Sequence, residues 1–169
     1  MDTNQRTLET GAGLMALAAL AFIGYAVVFF FRSFAGSGFE IGVETLGGLT
    51  KSELAATNPE AAYYITHLHV ATAGFIAATG IAVAALSWWG VRRGEWWAWW
   101  AAVLAPVVGL AVALPMHWGP QAFGHSWVTH LGPIYLATLV FVVGALLALK
   151  VLLGQRPARG VTGVAGSTG

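Results

Sequence analysis

Residues 96–149, WWAWWAAVLAPVVGLAVALPMHWGPQAFGHSWVTHLGPIYLATLVFVVGALLAL, form a run of 54 residues without a single Asp, Glu, Lys or Arg. A membrane-spanning helix needs about 20 predominantly apolar residues. The run is therefore long enough for two spans with a turn between them. Residues 117–130, near its centre, contain three of the five histidines of the chain and supply that turn.

Two more runs without formal charge precede it, at residues 11–31 and 61–91. Only 9% of all residues are charged, whereas soluble domains have about 25%. The sequence therefore predicts an all-α integral membrane protein, with spans at about 11–31, 61–90, 96–116 and 131–152. The first run is longer than the apolar core of a typical signal peptide and ends in bulky aromatic residues, so we interpret it as a retained span.

The distribution of basic residues predicts the orientation. Six of the eight lie on one predicted side of the membrane: Arg6, Arg92, Arg93, Lys150, Arg156 and Arg159. By the positive-inside rule, both termini are cytoplasmic and the helices form two antiparallel hairpins of a four-helix bundle in the plasma membrane. This transmembrane domain would cover residues 11–153, between a polar arm (1–10) and a disordered tail (154–169) rich in Gly, Ser and Thr.

The outer loop, residues 32–60, is the one long polar connection. Thr50 and Glu53 have the spacing of a capping box, which predicts a short helix from about Lys51 to Ala56. Asn58 and Pro59 are a strong start signal for the second span. We expect this loop to fold over the outer mouth of the bundle as a lid on the histidine region.

The turn between the second and third spans is basic, and six tryptophans flank it: Trp88, Trp89, Trp96, Trp97, Trp99 and Trp100. Indole rings concentrate at the headgroup level of a bilayer, so we interpret them as an interfacial belt. A stacking surface for a base or a sugar is the alternative. Pro106 predicts a kink in the third span.

All five histidines fall at the predicted outer face. His67 and His69 are about 200° apart around a helix, so they cannot both face the bundle core. We expect His67 to face inward, because Glu60, Tyr64 and small residues share its stripe. The predicted site consists of His67, His117 and His130, with His125 or His69 as a fourth ligand and Glu60 and Tyr64 as ligands or supporting groups.

The chain has no cysteine, so a metal here would have nitrogen and oxygen ligands. Imidazoles with an oxygen ligand suit zinc, copper or non-haem iron. A single haem held by one histidine from each hairpin is the other cofactor considered. A two-haem arrangement is disfavoured because the cytoplasmic half has no histidine. The leading hypothesis is a redox or accessory subunit that binds a transition metal or haem.

Two alternatives use the same residues differently. Histidine, tryptophan and tyrosine all favour the membrane interface, so the chain could be a non-catalytic scaffold or assembly protein packing against partner subunits or its own copies. It could also be a small permease, or bind lipid or quinone. A net charge of +1 gives no sign of nucleic-acid binding, and the lack of a mid-span ionisable residue disfavours a proton pump. Convergence of His67, His117 and His130 would favour the site over the scaffold.

Overall fold

A computed structural model describes residues 2–36, 38–118 and 125–155. Within these ranges the chain forms five α-helices and one short antiparallel β-hairpin, in which Thr45 lies opposite Thr50. The elements are α1 (Thr3–Phe34), β1 (Thr45–Leu46), β2 (Leu49–Thr50), α2 (Lys51–Thr57), α3 (Pro59–Ala85), α4 (Trp96–Ala113) and α5 (Gly132–Gly154).

Short turns of other helix types lengthen three of these helices. A π-turn (Leu86–Gly90) and a 3-10 turn (Val91–Arg93) continue α3, a 3-10 turn (Leu114–His117) continues α4, and a second π-turn (Trp127–Leu131) leads into α5. With these extensions, four helices of the described chain are long and apolar enough to cross a membrane. The sequence prediction of four spanning helices is confirmed at that level, while the orientation of the termini stays a prediction.

The first helix is longer than its apolar run. It begins at Thr3 rather than near residue 11, so most of the predicted polar arm is helical. Polar side chains of this first part bond along the helix surface: the Gln5 amide donates to Glu9 at 2.9 Å and the Thr7 hydroxyl to the Thr3 carbonyl at 2.9 Å. Leu8 is buried in the core. At the other end of the chain α5 ends at Gly154, and residues 156–169 of the predicted tail lie outside the described residues.

Helix α1 is the centre of the fold, because it packs along its length against both α3 and α5. Glycines allow the close approach on each side. A Cβ atom on Gly11 would lie 2.7 Å from the carbonyl oxygen of Gly144, and one on Gly80 would lie 3.0 Å from the carbonyl oxygen of Ala19. Without a hydrophobic effect inside lipid, such close backbone packing is a main source of helix association.

Helix α4 is attached mainly through its first half. Trp99 is buried, and its indole Nε1 donates to the carbonyl oxygen of Ala145 on α5 at 3.1 Å. This corrects the prediction that all six tryptophans form an interfacial belt, because Trp99 is a core residue that links two helices. Among the other five, four are exposed: Trp88, Trp89, Trp97 and Trp100.

The local signals in the outer loop are confirmed. The Thr50 hydroxyl accepts from the amide of Glu53 while the Glu53 carboxylate accepts from the amide of Thr50, a complete capping box at the start of α2. These hydrogen bonds lower the pKa of Glu53. Asn58 caps α3, with its side-chain oxygen accepting from the amide of Ala61 at 3.0 Å. The Lys51 ammonium group bonds to the carbonyl of Ser33 and so ties the loop to the end of α1.

We expect Gly11→Ala to destabilise the fold, because the new methyl group would meet backbone atoms of α5 that cannot move aside as a side chain can. Overpacking of this kind costs about 1–3 kcal/mol. Gly13→Ala is the matched control on the same helix, since nothing lies within 4 Å of its added Cβ and alanine favours helix. Thermal unfolding of the detergent-purified variants measures both. Equal unfolding temperatures would contradict the close α1–α5 contact.

Candidate functional site

Three histidines meet at the end of the molecule where α4 finishes and α5 begins. The ring centroids of His117 and His130 are 5.1 Å apart, and the ring of His125 lies 5.3 Å from each of them. His117 comes from the 3-10 turn after α4, and His130 from the π-turn before α5. His130 is only 3% exposed. The three rings therefore form one cluster, which we call the histidine triangle.

The π-turn that carries His130 has a local cause. Pro133 stands in the first turn of α5 and has no N–H group to donate to the carbonyl of Thr129, so the regular i→i−4 ladder is interrupted there. The Ser126 hydroxyl caps this segment by accepting from the amide of Thr129 at 3.4 Å. The wider π-turn leaves His130 and Leu131 as its two buried residues.

Backbone carbonyls determine the tautomers of two of the rings. Nδ1 of His130 lies 2.8 Å from the carbonyl oxygen of Ile41, and Nδ1 of His117 lies 3.3 Å from that of Leu114. A carbonyl oxygen can only accept, so each Nδ1 must carry a proton and donate it. In the neutral rings, both Nε2 atoms then have a lone pair.

These two Nε2 atoms face each other at 3.0 Å. Two lone pairs at that distance repel, so a positive charge close to both nitrogens would stabilise the contact. That charge would be either a proton, which makes one ring an imidazolium, or a metal ion.

The outer loop packs directly on the histidine triangle. The amide of Ser126 donates to the carbonyl of Gly42 at 2.9 Å, beside the bond from His130 to Ile41. Gly42 has a φ of +76°, and a Cβ there would lie 2.6 Å from Oγ1 of Thr129 and 2.9 Å from the backbone nitrogen of His130. Glycine is required at residue 42 for both reasons. The loop thus contacts the histidine triangle through Ile41 and Gly42, while its role as a lid stays a prediction.

Glu40 brings a carboxylate to this cluster. The loop is pinned on either side of it, since Phe39 and Val43 are buried and the amide of Val43 donates to the carbonyl of Glu40 at 3.1 Å. Burial raises the pKa of Glu40, and attraction by His117 and His125 opposes that rise. Glu40 is therefore a half-buried acid within electrostatic reach of two of the three rings.

The prediction that His67 faces inward is wrong, because that residue is exposed. The buried residues of α3 include Ala62, Ala73 and Gly80, a stripe that also contains residue 69 and lies opposite residue 67. His69 accordingly is half-buried and its ring lies 5.2 Å from that of Phe29 on α1. The small residues near His67 that suggested an inward face are turned outward.

The two other residues predicted on that stripe also lie apart from the cluster. Glu60 is exposed in the first turn of α3, and Tyr64 is 61% exposed one turn later. Of the predicted ligands, the structure brings together His117, His130 and His125. His67, His69 and Glu60 are not among the side chains that contact these rings in the described chain.

Comparison with other proteins gives no indication of function. No protein-family model, curated protein or solved structure compared with this chain matches it. Within residues 2–36, 38–118 and 125–155, no group of three or more His, Asp or Glu side chains has the arrangement of a preformed metal site. The histidine triangle is thus a cluster of rings with one close nitrogen pair, rather than a complete coordination shell.

Sequence reasoning missed the contribution of the loop. Ile41 acts through its backbone carbonyl and lies 89 residues from His130, so no local pattern connects them. Glu40 did carry a signal, because it is a single acid between the apolar residues Phe39 and Ile41 and is flanked by glycines. An acid in such a setting is unusual for a solvated loop and indicates burial.

We expect Gly42→Ala to lift the loop from the histidine triangle, because its methyl group would overlap Thr129 and His130. Hydrogen exchange measures this: the amide of Ser126, which donates to Gly42, should exchange faster. Gly47→Ala is the matched control, since that glycine also has a positive φ but nothing lies within 4 Å of its added Cβ. Unchanged exchange at Ser126 in Gly42→Ala would show that the loop does not depend on this contact.

Glu40 should make the stability of the metal-free protein depend on pH. Its pKa is raised by folding, so its stability contribution is complete below the ordinary carboxyl range and is lost as the pH rises through the raised pKa. We therefore expect Glu40→Gln to be more stable than the wild type above that pKa and similar below it. Thermal unfolding between about pH 4 and about pH 8 tests this, with the exposed Glu60→Gln as a control for removing a charge. A Glu40→Gln protein that is less stable at neutral pH would contradict the prediction.

Proposed function

We propose that the histidine triangle binds a divalent transition-metal ion. His117 and His130 would supply Nε2 ligands, His125 a third nitrogen, and Glu40 a carboxylate that offsets one of the two positive charges. The observation that carries this proposal is the pair of Nε2 atoms 3.0 Å apart, whose rings both have Nδ1 directed at a backbone carbonyl.

Both supporting contacts are the kind that metal-binding histidines make. A ligating imidazole usually donates its second N–H to a backbone carbonyl or a carboxylate, which fixes the tautomer and the direction of the lone pair. Two nitrogens bound to one ion at about 2.0–2.1 Å in tetrahedral geometry are about 3.3 Å apart. The nitrogens at 3.0 Å would have to move apart, and the two rings would have to tilt so that both lone pairs converge on the ion.

His125 would have to turn to complete the site. Its ring stands at 87° to that of His117, edge to face, although the centroids are only 5.3 Å apart. The residue precedes the π-turn and is not part of a helix, so its backbone as well as its side chain can adjust without breaking a helical hydrogen bond. A turn of the His125 ring would explain why the three rings lie close together although their nitrogens do not yet form a complete set of metal ligands.

The geometry favours a small ion over haem. A haem ligated by His117 and His130 would have its macrocycle between two nitrogens that are only 3.0 Å apart, with the ring of His125 against both. Nitrogen and carboxylate ligands without thiolate suit zinc, copper(II) or non-haem iron. With a redox-active ion the chain would serve as a redox or accessory subunit of a membrane complex, and with zinc the site would be structural or Lewis-acidic.

We expect His130→Ala to weaken binding of zinc or copper(II) by at least about 100-fold, beyond the 10–100-fold typical of losing an outer-shell partner. Competition with a chelator of known affinity, on detergent-purified protein, measures this. His67→Ala is the matched control because that histidine is exposed and apart from the cluster. Circular dichroism checks that both variants remain helical.

Two results would contradict the proposal. One is metal binding that is equally tight in the wild type and in His130→Ala. The other is a wild type that takes up no zinc, copper(II) or iron(II) after reconstitution, in which case the histidine pair shares a proton and the non-catalytic scaffold becomes the better interpretation. A Soret band after incubation with haemin, lost in His130→Ala, would support haem in place of the ion.

A further inference from the structure

We propose that the opposite end of the molecule binds an anionic phospholipid, with its phosphate held by Arg92 and Arg93 and an acyl chain lying between α3 and α4. This end is distinct from the histidine triangle. Glu9, near the start of α1, contacts Arg92, whereas Arg32, near the end of α1, contacts Glu44 of the outer loop.

The headgroup would occupy a cavity of about 370 Å³ at this end. One wall comes from the start of α1 and the other from the turns that follow α3. Its lining residues are Gln5, Glu9, Trp88, Trp89, Arg92 and Arg93. Tryptophan is the side chain typical of the headgroup level, so the cavity combines interfacial aromatic rings with two cationic groups.

The charge of this cavity favours an anion. The guanidinium group of Arg92 lies over the ring of Trp88, 4.7 Å from its centroid, and 3.9 Å from a carboxylate oxygen of Glu9. That carboxylate also accepts a hydrogen bond from the Gln5 amide at 2.9 Å. Arg93 is exposed and has no ion pair within 4 Å among the described residues. Two guanidinium groups against one carboxylate leave a net positive charge.

A second cavity, of about 620 Å³, adjoins the first. Apart from Arg93 and Glu95 its lining is apolar, and it supplies the hydrocarbon part of the site. The two cavities share Trp89 and Arg93. The second extends along α3 to Ala82, about 16 Å from Arg93 at 1.5 Å per residue. Its other lining residues are Ala85, Leu86, Gly90, Glu95 and Trp97.

The small side chains of the second cavity make a groove. Ala82 and Ala85 leave space beside Leu86, and Trp97 of α4 forms the opposite side. The cationic pocket is continuous with this apolar groove, which would run into the hydrocarbon layer of a membrane. The pair matches a molecule with a phosphate at one end and an acyl chain at the other. A free phosphate would use only the first cavity. Basic pockets between transmembrane helices are known to bind such anionic headgroups.

The backbone beside the two cavities departs from a regular α-helix. Residues 86–90 form a π-turn, and the Ser87 hydroxyl donates to the carbonyl of Val83 at 2.7 Å inside it. A side-chain bond of this kind competes with the regular ladder. Trp88 and Trp89, next in the chain, are both exposed, and Trp89 lines both cavities. π-Turns within α-helices occur frequently at functional sites.

The test uses the full chain in nanodiscs that contain equal amounts of phosphatidylglycerol and phosphatidylcholine with identical acyl chains. Lipid retained by the purified protein is then measured by native mass spectrometry. We expect the wild type to retain more phosphatidylglycerol. We expect Arg92→Gln and Arg93→Gln each to lower the retention ratio about fivefold, the effect of one basic residue near an anionic surface. Arg6→Gln is the matched control, since Arg6 lies at the same end but does not line either cavity.

Two more variants separate the parts of the site without depending on a loss of fold. Glu9→Gln removes the only carboxylate of the first cavity and should raise the ratio. Ala85→Phe fills the groove and should lower retention of phosphatidylglycerol while both arginines are present. Inorganic phosphate at a large excess should displace little lipid, because it cannot use the groove.

Three results would overturn all or part of this proposal. Equal retention of the two lipids by the wild type would overturn the proposal. So would an Arg6→Gln protein that loses as much phosphatidylglycerol as Arg93→Gln, because the effect would then be one of overall charge. Displacement of the lipid by inorganic phosphate would show a simple anion site and would overturn the assignment of the groove.

Discussion

The contact between the Nε2 atoms of His117 and His130 is the constraint that organises the end of the molecule where α4 finishes and α5 begins. Both rings donate through Nδ1 to backbone carbonyls, so a cation near the two Nε2 atoms would stabilise the contact. It joins the end of α4 to the start of α5. A separate hydrogen bond, from His130 Nδ1 to the carbonyl of Ile41 in the outer loop, adds a residue 89 positions away to the same network.

The rest of the fold can support such a network because α1 packs tightly. The glycine contacts between α1 and its two neighbours leave no room for even a methyl group. Protein interiors at this density transmit small shifts rather than absorb them. The loop that follows α1 is fixed at its start by the bond from Lys51 to Ser33 and at its middle by Gly42. The position of the Ile41 carbonyl therefore depends on the packing of α1.

The features that sequence predicted correctly are those with local causes. Four spanning helices follow from apolar runs, and the capping box of Thr50 with Glu53 follows from two residues three positions apart. The wrong face for His67 has a different origin. Two stripes of α3 contain small residues, and only the position of α1 decides which of them is buried.

Part of the candidate site was also predictable from local sequence. His117, His125 and His130 lie within one short connection, so their clustering follows from joining two antiparallel spans. The role of Trp99 could not be deduced, because a tryptophan beside five others has the sequence pattern of an interfacial residue, and only the carbonyl of Ala145 makes it a core residue. Likewise, a backbone carbonyl such as that of Ile41 has no sequence signature at all.

Because only the first half of α4 is buried, a cation at the histidine triangle would affect how the second half is held. The buried residues of α4 are Ala98, Trp99 and Ala102, all in its first half, while Val108 and Val112 in its second half are exposed. His117 stands beyond that second half, so its link to His130 holds the far end of α4 against α5. If the proposed metal is bound, two coordination bonds would join the two helix ends at this point. An ion bound here would therefore also affect how tightly the far end of α4 packs against α5.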